Sequence, residues 1–204
     1  MKSAISNIWL LGLVALFIFV FAGYLAVTIN YTKTFKVKNE MLTIIEKQKG
    51  VVNIQTPTSK ASIVKTGQTV NSNVGSLQIL ALYLYGSTYR VTGTCDTHTE
   101  SGYVNNTWYG VTDLGVPGKG SSGPVTPEVK EVKPGSNLKY YFCFARGKGK
   151  NGSTFYRVQV FYKMDLPVLG DIFTYRVEGT TVEIFNPTCG DDKAYCTCSG
   201  GICS

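Results

Sequence analysis

Six cysteines are the residues whose chemistry is most sharply defined, and all of them lie in the second half of the chain. They are Cys95, Cys143, Cys189, Cys196, Cys198 and Cys203. The last four fall within fifteen residues. Thiolates of that density can bind zinc, but structural zinc sites use cysteine pairs about two to four residues apart. Here the intervening segments hold six, one and four residues. We therefore expect disulfides, with zinc or free thiols as the alternatives.

The spacing also constrains the disulfide partners. Cys196 and Cys198 are poorly placed to bridge one another, so we expect each to pair with Cys189 or Cys203. Cys95 and Cys143 then remain, and they would join neighbouring strands, or the sheet and a loop. Six cysteines allow fifteen connectivities, so this division is one hypothesis among several.

The single histidine, His98, lies between Asp96 and Glu100. Together with Cys95 these groups have metal-ligand chemistry, but four ligands within six residues seldom reach one ion. A nucleophilic triad would need this histidine, and the sequence has no G-x-S-x-G elbow to accompany it. No pair of carboxylates is marked for glycosidase chemistry, and no phosphate loop is present. We expect a solvated loop histidine, no catalytic residue, no metal and no cofactor.

The element that would position these groups is a membrane segment. Residues 8–29 form a run of 22 residues without a charge. As a helix they span about 33 Å, enough for a hydrocarbon core of roughly 30 Å. Trp9, Tyr24 and Tyr31 stand where interfacial aromatic anchors occur. A cleaved signal peptide is the alternative, but its apolar core would be shorter, about 7 to 15 residues. The pattern favours a retained single-pass anchor in the cell membrane.

Charge gives conflicting evidence on orientation. Residues 1–65 hold eight Lys and two Glu, whereas residues 66–204 hold twelve Lys and Arg against eleven acids. Of the formal net charge of +7, +6 therefore belongs to the N-terminal third, which argues against a basic nucleic-acid-binding domain. The lysines that follow the anchor favour a cytoplasmic C-terminal part by the positive-inside rule. The cysteines favour the outside, and we expect the C-terminal domain there.

Beyond the anchor, no helix breaker occurs before Gly50, so we expect one continuous helix. Phe35, Leu42 and Ile45 recur at helical spacing in its second half, and we expect this half to pack along the stripe that they form. Residues 77–85 predict a short helix, with Ser76 as N-cap and Gly86 as its end.

The rest of the chain predicts β structure. We expect a strand at 89–95, an edge strand at 125–133 within a long Gly/Pro-rich loop at 110–137, a hairpin of 138–145 with 153–163, and a hairpin of 172–177 with 180–185. The fold class is α+β: a long helix, a short helix and an antiparallel sheet of four or five strands.

This layout resembles that of pilins and pseudopilins. The segments 38–47 and 158–171, the latter ending in Asp165-Leu-Pro-Val-Leu-Gly-Asp171 between two strands, are similar to those of TadE-like minor pseudopilins, envelope proteins encoded with Tad-type pilus machinery in Gram-positive bacteria. The resemblance implies a non-enzymatic envelope protein of a pilus or secretion apparatus. Its partners would be the lipid bilayer and, through the N-terminal helix, other pilin-like subunits or assembly-platform proteins. Type IV prepilins carry a Glu near the start of the mature helix; the apolar run here has none, which implies a minor subunit.

Four regions follow from these patterns. They are an anchor at 1–30, an amphipathic extension and linker at 31–73, an extracytoplasmic domain at 74–188 and a Cys-rich tail at 189–204. The alternative function is a membrane-tethered binding module for cell-wall glycan or a host ligand, which would use the aromatic sheet and the 110–137 loop.

Overall fold

The computed structural model describes residues 2–54, 75–87, 90–98, 103–115, 127–166, 170–187, 194–199 and 202–203. Most of the predicted linker, together with Glu100 and Cys189, lies outside these residues. The regular elements are α1 (Lys2–Lys47), β1 (Val52–Ile54), α2 (Ser76–Gly86), β2 (Tyr103–Asp113), β3 (Glu128–Glu131), β4 (Phe142–Lys148), β5 (Thr154–Leu166), β6 (Gly170–Thr180), β7 (Cys196–Ser199) and β8 (Ile202–Cys203). The predicted α+β class is confirmed.

α1 is one unbroken helix of 46 residues, about 69 Å long. It ends in a Schellman motif, in which the Gly50 N–H donates to the Ile45 carbonyl at 3.0 Å and the Lys49 N–H to the Glu46 carbonyl at 3.1 Å. Lys49 takes the left-handed conformation, with φ 53°, that this motif requires. The chain therefore turns at the end of α1 and enters β1.

The main sheet has five strands in the order β3-β2-β4-β5-β6, and every neighbouring pair is antiparallel. The predicted hairpin of 138–145 with 153–163 is present as β4 and β5, and the predicted edge strand is present as β3. A second sheet of three strands, absent from our expectations, pairs β7 parallel with β1 and antiparallel with β8. It holds the Cys-rich tail against the residues that directly follow α1.

Two layers cover the main sheet. On one face α1 and α2 bury a cluster that includes Met41, Leu80, Phe142, Phe144 and Val158. On the opposite face, residues 90–98 cross over a smaller cluster that includes Trp108, Tyr140 and Phe161. The sheet is thus buried on both faces around β4 and β5, which explains why these strands are predominantly apolar.

The predicted hairpin of 172–177 with 180–185 is wrong. β6 runs through Gly179 and pairs with β5, and Ile184 pairs only by an isolated bridge to Thr154. Glu178-Gly179 has the composition of a turn, but the glycine serves a close approach: a Cβ on Gly179 would lie 2.7 Å from Lys38 Cδ and 2.9 Å from Leu42 Cδ1 of α1. Helix docking, rather than a turn, accounts for this glycine.

β2 overlaps the start of the long loop predicted at 110–137. Residues 110–113 belong to this strand, so the loop prediction is wrong for them. Asn105, Asn106 and Gly110 have low strand propensity, which hid the strand. Its position in the sheet compensates, because β2 pairs with β3 on one side and β4 on the other. Trp108 and Val111 are buried on opposite faces of it.

Two smaller expectations also fail. The predicted strand at 89–95 is described from Arg90 onward, and in that part only Gly93 pairs, by an isolated bridge to Tyr140. Ser76 is the first residue of α2 rather than its N-cap, which is Gly75. The Ser76 hydroxyl instead accepts the N–H of Val52 at 2.7 Å and so ties α2 to β1.

Candidate functional site: the exposed half of the N-terminal helix

Residues 8–29 of α1 expose large apolar side chains on all sides of the helix. Trp9 is 75% exposed and Phe17 is 68% exposed. Within the described part of the chain, α1 alone is long and apolar enough to cross a membrane, and only 6% of its most apolar window is buried. A core helix of a soluble protein would be covered by its own domain. This surface therefore requires another apolar environment.

Two threonine hydroxyls at the end of this half and just after it are hydrogen-bonded within the helix. The Thr28 hydroxyl donates to the Tyr24 carbonyl at 2.9 Å, and the Thr32 hydroxyl donates to the Thr28 carbonyl at 2.8 Å. Such bonds let a hydroxyl sit in a helix without an unpaired donor. They are compatible with a surface that faces lipid or other helices.

An aromatic series marks the point where the helix reaches the domain. The Tyr31 ring lies 6.3 Å from the Phe35 ring and 6.0 Å from the Tyr162 ring, and Tyr162 lies 5.3 Å from Tyr175 on β6. Burial, and then the neighbouring Tyr175 and Tyr31, raises the pKa of Tyr162. This tyrosine therefore keeps its proton above its ordinary range. Aromatic rings of this kind are enriched where a membrane helix enters water.

The second half of α1 packs on the sheet along one stripe. Thr34, Val37, Met41 and Ile45 are buried, at intervals of three, four and four residues. This spacing keeps side chains on one helix face. Lys38 lies beside the stripe with its ammonium 4.0 Å from the centroid of the Phe35 ring, and burial lowers the pKa of this lysine.

The three residues predicted for helix packing take three different positions. Ile45 is fully buried and Leu42 is half-buried against the core, whereas Phe35 is 42% exposed. Val37 is buried but is not among the predicted packing residues, although its spacing of four residues from Met41 is visible in the sequence. Helical period alone could not choose between the Phe35 side and the Val37 side, because both carry apolar residues.

The cysteines brace the domain. Cys95 and Cys143 form a disulfide with a Cα–Cα distance of 6.1 Å, which ties residues 90–98 to β4. Cys196 and Cys198 are also disulfide-bonded. Cys203 is the register partner of Cys198 across β7 and β8, and Cys189 lies outside the described residues. Free cysteines are absent from the described part of the chain.

A polar cluster surrounds His98 on the face of the sheet that residues 90–98 cover. The Arg157 Nη1 lies 2.7 Å from His98 Nε2, and Arg157 Nε pairs with Glu178. Because a guanidinium can only donate, Nε2 accepts and the ring proton lies on Nδ1, 3.8 Å from Asp96 Oδ2. The basic nitrogen of His98 is thus engaged by an arginine, which argues against a general-base role.

The same cluster fastens the crossing segment to the sheet. Gln159 exchanges two hydrogen bonds of 3.0 Å with the backbone of Asp96, and Arg176 Nη2 lies 2.5 Å from Asp96 Oδ2. With its side chain 29% exposed, His98 is not the solvated histidine we expected. The sequence carried a signal for one side of this cluster only, since the alternation along β5 places Arg157 and Gln159 on the same face of the strand.

Among the described residues, no group of three or more His, Cys, Asp or Glu side chains is arranged to hold a metal ion. The polar cluster is therefore a cross-link between segments, and the exposed helix is the feature without an internal explanation. Comparison of the chain with protein-family models, with curated proteins and with solved structures finds no match.

Proposed function

We propose that this chain is a non-enzymatic, single-pass envelope protein that serves as a minor pilin-like subunit of a pilus or secretion apparatus. One observation carries the proposal: a single helix continues without a break from an uncharged, exposed half into a half docked on an antiparallel sheet. A flexible tether would suffice to hold a domain at a membrane. A continuous helix fixes the domain at a set distance and orientation, as a packed assembly of subunits requires.

The exposed half suits two successive environments. Its apolar side chains dissolve in the bilayer before assembly, and the same side chains pack against helices of other subunits afterwards. Phe35 and Tyr31 remain exposed next to this half, at 42% and 47%, and extend its apolar surface beyond the bilayer. The subunit partners would be pilin-like chains or assembly-platform proteins.

We place the domain outside the membrane. The disulfide of Cys95 with Cys143, and those of Cys196 and Cys198, form and persist in oxidising compartments. The lysines after the anchor oppose this orientation by the positive-inside rule. The disulfides argue more directly, because they concern the chemistry of the domain itself rather than a statistical bias of loops.

Membrane anchorage is tested on cells that express the full chain. The protein should stay in the membrane pellet after carbonate extraction, with an intact N-terminus by mass spectrometry and a mass gain of six hydrogens on reduction. A chain that begins near Gly23 would identify a cleaved signal sequence and overturn the anchor. Six free thiols would overturn the outside orientation.

Assembly through the helix is tested with a photo-crosslinking amino acid at Phe17, with Phe185 as the matched control. Both side chains are largely exposed, at 68% and 61%, but only Phe17 lies on the apolar half of α1. We expect crosslinks from Phe17 to a second copy or to another protein with an N-terminal apolar helix, and few from Phe185. Crosslinks to lipid alone at position 17 would favour the tethered binding module instead.

A further inference from the structure

A basic cleft lies where α1 leaves its apolar half. It has a volume of about 450 Å³ and is formed by α1, the end of α2, the start of the crossing segment and β5. Small-molecule sites have volumes of about 300–1,000 Å³. The lining residues used below are Lys33, Lys36, Tyr83, Arg90, Tyr162 and Lys163.

Four cations from three separate elements line this cleft. Lys33 and Lys36 come from α1, Arg90 from the crossing segment and Lys163 from β5, and the lining residues include neither Asp nor Glu. The Arg90 guanidinium is held 4.2 Å from the centroid of the Tyr85 ring. Within the described part of the chain, no ion pair is present for Lys33 or Lys36. No carboxylate among the lining residues offsets Lys33, Lys36 or Arg90, and bringing these three charges together costs electrostatic free energy unless an anion joins them.

Two features near the cleft oppose the binding of an anion. The C-terminal end of α2 contributes about half a negative charge. Glu40 lies near enough to Tyr83 to raise the pKa of this tyrosine, after burial as the larger cause. Together these two features amount to about one and a half negative charges, which the three cations Lys33, Lys36 and Arg90 exceed. The raised pKa also keeps the Tyr83 hydroxyl protonated, so that it can donate a hydrogen bond into the cleft.

The position of the cleft selects the source of the anion. Lys33 follows Ile29, the last residue of the apolar run, by four residues, or about 6 Å along the helix axis. The headgroup layer of a bilayer is about 5–8 Å thick on each side. The aromatic series of Tyr31, Tyr162 and Tyr175 lies at the same level as the cleft, as expected at a membrane interface.

We infer that this cleft binds the phosphate of an anionic phospholipid headgroup, with Lys33 and Arg90 as opposing clamps on its oxygens. The inference rests on the proposed membrane anchorage. Lys and Arg are the side chains that bind phosphate by charge-assisted hydrogen bonds. A headgroup held between α1 and the crossing segment would fix the tilt of the domain against the membrane surface.

The test uses the full chain in nanodiscs that contain equal amounts of phosphatidylglycerol and phosphatidylcholine. After release into the gas phase, native mass spectrometry should find phosphatidylglycerol retained in preference to phosphatidylcholine. In the variant Lys33→Ala/Arg90→Ala this preference should fall by about tenfold or more, because each basic residue near an anionic surface contributes about fivefold.

The matched control is Lys47→Ala/Lys139→Ala, which removes two exposed lysines outside the cleft. Its net charge equals that of the Lys33→Ala/Arg90→Ala variant. It should keep the preference for phosphatidylglycerol. Circular dichroism checks that both variants are folded. Equal retention of the two lipids by the unaltered chain, or an equal loss in the control, would overturn the headgroup site.

A second arm separates a lipid headgroup from free phosphate. The chain in neutral detergent is titrated with inorganic phosphate, and its thermal midpoint is compared with that after addition of phosphatidylglycerol. We expect a shift with the lipid and none at about 10 mM phosphate, because only a ligand that binds the folded chain at the concentration used raises its midpoint. An equal shift with phosphate alone would overturn the lipid assignment. Release of the unaltered chain from the membrane by carbonate would instead contradict the proposed anchor, and so the two proposals can fail separately.

Discussion

In the first half of α1, residues 8–29, large apolar side chains are exposed on every side, whereas in residues 34–47 they are buried along one stripe. The backbone is the same continuous helix in both halves. What differs is the source of the apolar environment: the second half finds it in its own sheet, and the first half must find it in lipid or in other chains. The same hydrophobic effect therefore packs one half on its own sheet and favours transfer of the other half out of water.

The largest effect is expected at the buried stripe. Ile45→Ala should lower the free energy of unfolding of the domain by roughly 2–5 kcal/mol, because Ile45 is fully buried and its truncation leaves a cavity. Denaturant unfolding in detergent, followed by the fluorescence of buried Trp108 in a Trp9→Phe background, measures this loss. Ile18→Ala, in the exposed half, should leave the midpoint unchanged. An equal loss of unfolding free energy in Ile45→Ala and Ile18→Ala would show that both halves of α1 contribute alike to the stability of the domain.

The next effect tests the exposed half. Ile18→Lys places a charge near the centre of the apolar run and should oppose membrane insertion by about 3 kcal/mol. The measurement is the fraction of the chain that survives carbonate extraction. Asn39→Lys, at an exposed position of the docked half, serves as the control and should insert normally. Unchanged insertion of the Ile18→Lys chain would argue against a membrane-spanning helix.

A smaller effect is expected where the docked half meets β6. Gly179→Ala forces a methyl group to within about 3 Å of Lys38 and Leu42, and such overpacking typically costs about 1–3 kcal/mol. The same unfolding measurement applies. Gly86→Ala is the control, since nothing lies within 4 Å of its added Cβ. If Gly179→Ala unfolds at the same denaturant concentration as the parent chain, the close approach does not constrain docking.

The smallest effect is a gain. Lys49→Gly should stabilise the domain by about 0.5–1 kcal/mol, because Lys49 holds a left-handed φ of 53° at the end of α1 and glycine adopts that conformation without a steric cost. Lys47→Gly, two residues earlier within the helix, should instead cost about 1 kcal/mol. Opposite signs in these two variants, read from thermal midpoints, would support the Schellman end. A loss in both would contradict it.

The elements with a clear period were predictable from the sequence. The long helix has an uncharged run followed by a one-sided pattern, and β4 and β5 have dense aromatic and β-branched residues around a glycine-rich turn. β2 was not predictable, because Asn105, Asn106 and Gly110 read as loop residues and only pairing on both edges makes them a strand. Gly179 misled for the complementary reason: its small size serves a helix that is more than a hundred residues away in sequence.

Of the candidate site, the sequence located the membrane segment but not its relation to the domain. It did not reveal which side of α1 would pack, since Phe35 and Val37 are both apolar and differ only in the direction they face. It also did not reveal that His98 is bound by Arg157 across the sheet. Both outcomes depend on how α1 and residues 90–98 are placed against β5, and no local pattern encodes that placement.

The long helix, its uncharged half, the α+β class and the number of thiols could all be inferred from the order of the residues alone. Hydrophobic period and residue propensity act over a few neighbouring residues, so they can be read along the chain. The folded chain was needed to show that Cys95 pairs with Cys143, 48 residues away, and that cations from α1, β5 and the crossing segment line one cleft. Such contacts depend on chain closure and on packing among several elements at once, which fix distances that sequence separation does not.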